Sequence, residues 1–153
     1  MLVLILRTAS MPGVSEEVMP YLQSHYSKKV VEYFKHPKNV GSIEHADGIG
    51  QSSNEGTVFI ELHIRVQNEI ITDAKFKTFG CGAAIAASSM VTELIIGKSV
   101  TEASEISNNT IIEALDGLPR EKLHCSVLAE KALNAAIADF RNKAESVKIE
   151  TIE

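Results

Sequence analysis

Cysteine is scarce in this chain: Cys81 and Cys125 are the only two among 153 residues. Two cysteines cannot build the disulfide framework of a small secreted domain, and no C-x-x-C pair is present to mark a zinc or redox motif. Long apolar runs are also missing. None approaches the roughly 18–20 residues needed to cross a bilayer, so no membrane span is expected. The opening Met1-Leu2-Val3-Leu4-Ile5-Leu6-Arg7 is apolar but short, no basic stretch precedes it, and Ala9-Ser10-Met11 is a poor cleavage site. A signal peptide is therefore not expected. Basic excess is absent too. At a net charge of −5 the chain lacks the surplus of cations needed to neutralise phosphates, which argues against a nucleic-acid partner. There is no internal repeat and no low-complexity linker. With no export signal the expected location is cytoplasmic, where thiols stay reduced.

What remains is an ordinary globular composition, 44% hydrophobic and 23% charged, on a chain long enough to bury one core. Residues 1–20 read as an N-terminal extension, 21–145 as the domain and 146–153 as a C-terminal tail, with fraying over 144–153. Tyr21 to His36 reads as a helix whose apolar side carries Val30, Val31, Tyr33 and Phe34, closed by Pro37. A long polar and Gly-rich loop over 37–56 follows, with a short edge strand near Gly48–Ser52. The alternation of Val58, Ile60, Leu62, Ile64 and Val66 with Phe59, Glu61, His63, Arg65 and Gln67 predicts a half-buried strand. A turn at Gln67-Asn68-Glu69 returns the chain as a second strand, Ile70 to Phe79. On the polar face His63 is expected to be solvated.

At Gly80-Cys81-Gly82 the period changes from two to that of a helix. That helix runs from Ala83 to Ile96, and Gly97 suits its C-cap. Ser99 and Glu102 form a capping box for a short helix at Val100–Ile106. Another starts at Asn109 or Thr110 and continues through Leu115. Cys125 to Lys143 is a long amphipathic helix with Leu128, Ala132, Leu133, Ala136, Ile137 and Phe140 on one stripe. The fold expected is α+β: a small antiparallel sheet of about three strands, covered on one face by helices and closed by a long C-terminal helix.

Both cysteines fall where a helix begins. Free N–H groups and the positive end of the helix dipole there favour a thiolate. Cys81, His124 and Cys125 would make a set of soft metal ligands if the fold brings them together. From the residues alone two readings stand side by side: a metal set, or buried thiols that hold nothing. A Cys–His hydrolase fits less well, because adjacent His124 and Cys125 point apart on a helix start and no orienting acid is evident.

From about residue 25 to 144 the chain resembles the IscU/NifU-type iron–sulfur cluster scaffold family. The matching stretches are Tyr26-Ser27-Lys28-Lys29-Val30, His36-Pro37-Lys38-Asn39-Val40-Gly41, Phe76 through Ala86, Ser88-Ser89-Met90-Val91-Thr92-Glu93, Gly97-Lys98-Ser99, and Leu118-Pro119 through His124-Cys125-Ser126. The resemblance implies a scaffold and carrier, not an enzyme. It would accept sulfur from a cysteine desulfurase, take iron, hold a labile iron–sulfur cluster of the 2Fe–2S type, and pass it to acceptor proteins. Zinc is the alternative occupant. By the same resemblance Cys81 and Cys125 are cluster ligands and sulfur acceptors, and His124 is an auxiliary ligand.

The chain departs from the family at two places. The family's first cysteine and the Asp that follows lie in a Pro-x-Cys-Gly-Asp loop. Here that loop reads Ser52-Ser53-Asn54-Glu55-Gly56-Thr57, with neither residue. The family's Leu-Pro-Pro-Val-Lys motif for an Hsp70-type chaperone is replaced by Leu118-Pro119-Arg120-Glu121-Lys122, which speaks against that partner. A 2Fe–2S cluster wants four ligands, and this chain offers three good ones. Glu55 is a candidate oxygen ligand for the gap. A homodimer is another answer, since two copies bring four thiolates. The sequence therefore points first to an atypical scaffold. The alternatives are a degenerate relative that docks on the desulfurase as a regulatory module, or a zinc-binding protein that transfers no cluster.

Overall fold

The computed structural model describes residues 3–5, 25–54 and 56–152. Their order is β1 (Val3–Ile5), α1 (Lys28–Lys35), β2 (Gly48–Asn54), β3 (Val58–Gln67), β4 (Ile70–Gly80), α2 (Gly82–Ile95), α3 (Val100–Ser104), α4 (Asn108–Ala114), a 3-10 turn (Arg120–Lys122) and α5 (Leu123–Ile152). The strands form one antiparallel sheet in the order β1-β4-β3-β2. The expected α+β class holds, and β2, β3 and β4 are the three expected strands. A fourth comes from the stretch read as an extension: Val3 to Ile5 pair with Gly80 to Thr78 along the free edge of β4.

The sheet meander follows from local chemistry. In β3 the residues Val58, Ile60, Leu62 and Ile64 are buried in alternation, and opposite them β4 buries Thr78, Phe76 and Ala74. Asn68 and Glu69 both take positive φ, as a two-residue turn twisted to match the strands requires. On the buried face lie α2 and α5. Alanines and serines of α2 are buried almost throughout, which lets that helix sit close to β4. The long α5 crosses β2, where Gly48 and Gly50 leave room for its backbone. A Cβ added at Gly50 would stand 2.2 Å from both the Ala132 carbonyl oxygen and the Ala136 nitrogen.

Caps decide several boundaries. Ser27 caps α1 by accepting from the Val30 N–H, so this helix begins at Lys28 and is shorter than the expected 21–36; residues 21–24 lie outside the described ones. Gly97, at φ +89, takes the left-handed turn after α2. The Ser99–Glu102 capping box is present on α3, and Ser107 caps α4 one residue earlier than expected. Contrary to the fraying expected after residue 143, α5 stays helical through Ile152. No Gly or Pro occurs beyond Pro119 to break it.

One further expectation is corrected. His63 is only 7% exposed. The segment before β2 passes over that side of the sheet, Ile43 is buried against it, and the Ile43 N–H donates to His63 Nδ1 at 3.2 Å. His63 Nε2 faces Glu61 Oε2 at 3.1 Å. Strand alternation tells which face a residue is on, but not whether a loop covers that face. The same segment is anchored at its start to α2, where the Lys38 N–H donates to Ser89 and Asn39 to Thr92.

Candidate functional site

Three elements meet at one end of the sheet. β4 ends at Gly80, and Cys81 is the N-cap of α2 in extended conformation. The 3-10 turn at Arg120–Lys122 leads into α5, so Cys125 is the third residue of that helix and points into the core at 0% exposure. The β2–β3 turn lies at the same end, because Asn54 pairs with Val58 and the neighbouring Phe59 pairs with Phe79. Ser52 ties this turn region to the helix by donating its hydroxyl to the Leu128 carbonyl at 2.6 Å, one helical turn beyond Cys125.

The two sulfurs, 44 residues apart in sequence, stand 3.8 Å apart in space. That is far beyond a disulfide bond of about 2.05 Å, and both thiols are free. The two thiols are hydrogen-bonded to each other, and this bond is the main reason that the Cys81 thiol falls from the usual 9.0 to about 5. Backbone N–H groups of Ala84 and Ala83 at the start of α2, and the Lys122 ammonium, pull the same way against the effect of burial. Cys125 is pushed in the opposite direction, upward, by the same hydrogen bond, by its burial and by the negative charge on Cys81. The two shifts favour the thiolate on the half-buried Cys81 and the neutral thiol on the buried Cys125.

His124 is exposed, with Nε2 at 3.6 Å from the Cys125 sulfur. All three residues singled out in the sequence therefore fall at one place. The structure does not arrange them into a finished site, since no group of three or more His, Cys, Asp or Glu is set to hold a metal among the described residues. Glu55 lies outside the described residues. Two contributors were not foreseen. Lys122 lowers the pKa of both thiols, and its place two residues before His124 was the available signal. Ser52 has no signal in the sequence, because its partner is a main-chain carbonyl of a distant helix.

The spacing of the sulfurs has a chemical meaning. Two thiolates bound to one tetrahedral metal at about 2.3 Å each must lie about 3.8 Å apart. The pair thus has the geometry of one edge of a metal's coordination tetrahedron.

The model of the NifU-like N terminal domain matches residues 25–147. The chain belongs to the IscU/NifU-type scaffold family. The iron–sulfur cluster assembly scaffold protein IscU of Rickettsia prowazekii (strain Madrid E) is 51% identical over 133 residues, 80% of this chain and 97% of that protein. The protein of the same name from Escherichia coli (strain K12) is 48% identical, over 79% of this chain and 98% of its own length. Among solved structures, a candidate iron–sulfur cluster assembly scaffold protein for the SUF system from Fervidobacterium islandicum AW-1 superposes with a TM-score of 0.61 at 26% identity, covering 74% of this chain and 97% of that one. The β2–β3 turn, at the end of the sheet that carries the thiol pair, has no cysteine in its sequence.

Proposed function

We propose that this protein is an iron–sulfur cluster assembly scaffold, a carrier and not an enzyme, whose cargo is held by Cys81 and Cys125. The observation that carries the reading is the 3.8 Å spacing of the two sulfurs at paired helix starts, in a chain of this family. His124, whose Nε2 stands 3.6 Å from the Cys125 sulfur, is the auxiliary ligand. The cargo is a 2Fe–2S cluster, and zinc is the competing occupant. A cysteine desulfurase supplies the sulfur: a thiolate of the pair attacks the outer sulfur of the desulfurase persulfide, the old S–S bond breaks, and the desulfurase thiolate leaves. The persulfide has moved with no net oxidation or reduction. To become the cluster's sulfide each transferred sulfur must gain two electrons, which an external thiol reductant supplies by forming its own disulfide; acceptor proteins then take the finished cluster. No helix among the described residues is long and apolar enough to cross a membrane, and the work is assigned to the cytoplasm.

The test is anaerobic loading with ferrous iron, cysteine, a cysteine desulfurase and a dithiol reductant, followed by desalting and analysis of iron and acid-labile sulfide. Both should be retained by the native chain and lost from the Cys81→Ala and Cys125→Ala variants. Equal retention in the double variant removes the assignment. The sulfur-free β2–β3 turn favours one second reading, a module that docks on the desulfurase without carrying cluster. Stable desulfurase binding by a chain that never retains iron or sulfide would establish it.

A further inference from the structure

Resting on the scaffold reading, we infer that Cys125 is a resolving thiol: it attacks the persulfide received on Cys81, releases the outer sulfur as sulfide, and leaves a Cys81–Cys125 disulfide. A protein donor reaches Cys81 and not Cys125. Cys81 is only partly buried, at the N-cap of α2, whereas Cys125 is 0% exposed on α5. The sulfur is therefore received on Cys81. Counted as neutral sulfur carried on a thiol, it must gain two electrons to become sulfide. Cys81 and a second thiol can give one each by joining as a disulfide. With two cysteines in the chain, Cys125 is the one internal candidate for that second thiol. It is in place, since the two sulfurs stand 3.8 Å apart and both thiols are free.

Direction selects the inner sulfur as the point of attack. Exchange at a sulfur–sulfur bond depends on which sulfur is reached, and the attacking thiol enters opposite the bond that breaks. The donor comes from solvent, so the outer sulfur lies on the solvent side of Cys81. Cys125 lies on the core side, opposite that leaving group. The step balances: the Cys81 persulfide and the Cys125 thiol give one disulfide and one hydrogen sulfide, and the Cys125 proton leaves with the hydrosulfide. The sulfurs must close from 3.8 Å to about 2.05 Å. Cys81 sits at an extended N-cap with no side-chain capping bond to break, so its side chain is free to turn. An external dithiol then attacks the more exposed sulfur, that of Cys81, and returns both thiols as it forms its own disulfide. The pair thus acts in turn as reductant and as ligand set, and external electrons enter through the disulfide and not through the persulfide.

The test is a single turnover with the full chain, without iron, oxygen or added reductant. The desulfurase is loaded as its persulfide, freed of cysteine and mixed with the chain. The native chain should release one sulfide for each disulfide formed, and peptide mass mapping should find Cys81 joined to Cys125. In Cys125→Ser the sulfur should stay on Cys81 as a persulfide, with sulfide release lowered about tenfold or more. A persulfide that persists on the native chain with its cysteines unbridged, or equal sulfide release by Cys125→Ser, overturns the resolving role and leaves the scaffold reading standing. No sulfur passed to the native chain in any form overturns both. Far-UV circular dichroism checks that Cys125→Ser is folded; where it is not, the ratio of sulfide to disulfide on the native chain decides alone.

Discussion

Replacing Gly50 by alanine tests the link between the sheet and the site. The added methyl would meet the Ala132 carbonyl oxygen and the Ala136 nitrogen of α5 at 2.2 Å, where ordinary contact begins at 3.4 Å. These are backbone atoms of a regular helix and cannot rotate aside, so α5 must retreat from β2 by about 1.2 Å. Overpacking of this kind costs about 1–3 kcal/mol, and a rigid neighbour puts it near the upper end. Alanine recovers about 0.5–1 kcal/mol by restricting the unfolded chain. The net loss is about 2 kcal/mol, or about 4–8 °C in Tm for a chain of this size. With a urea m-value of about 2 kcal/mol per molar, the midpoint falls by about 1 M. The chain has no tryptophan, so far-UV circular dichroism is the suitable probe. Because α5 carries Cys125, its retreat also parts the sulfurs, and retention of bound metal should fall with stability. Ser53→Ala, on the open face of the same strand, is the control and should stay within about 0.5 kcal/mol of the native protein. Coincident urea midpoints for Gly50→Ala and the native chain would refute the packing of α5 on β2.

The thiols give a second prediction. In metal-free protein, iodoacetamide should modify Cys81 first, with a rate that rises with pH through about 5 as its thiolate forms, while Cys125 reacts slowly at neutral pH; peptide mass mapping over a pH series checks both, and faster modification of Cys125 contradicts the opposite shifts of the two thiols. Lys122→Gln removes the cation that favours both thiolates, so the onset of Cys81 alkylation should move to higher pH. An unmoved pH profile would mean that Lys122 does not act on the pair. His63→Leu should destabilise the fold by about 1–3 kcal/mol, since it leaves the buried Ile43 N–H without its acceptor; thermal unfolding measures this, and an unchanged Tm would show that the loop does not close over that residue.

Much of the local structure could be read from the residues. Alternation in 58–67 named the buried face of β3, Ser99 and Glu102 announced their helix, and the change of period at Cys81 marked the passage from strand to helix. The family could be read as well, because its stretches lie along the chain in order. The error over His63 came from the one quantity that periodicity lacks, the cover supplied by a segment some twenty residues away.

By itself the sequence determined the α+β class, the two thiols at helix starts and the neighbouring His124, for each depends on local order along the chain, while the missing loop cysteine was legible only against the family that the chain resembles. The tertiary structure alone decided that Cys81 and Cys125 touch, that their thiols are shifted in opposite directions, and that Lys122 lies close enough to act on both. Those properties arise from distances between residues far apart in sequence. They exist only once α2 and α5 pack on the same face of the sheet with their first turns at the same end.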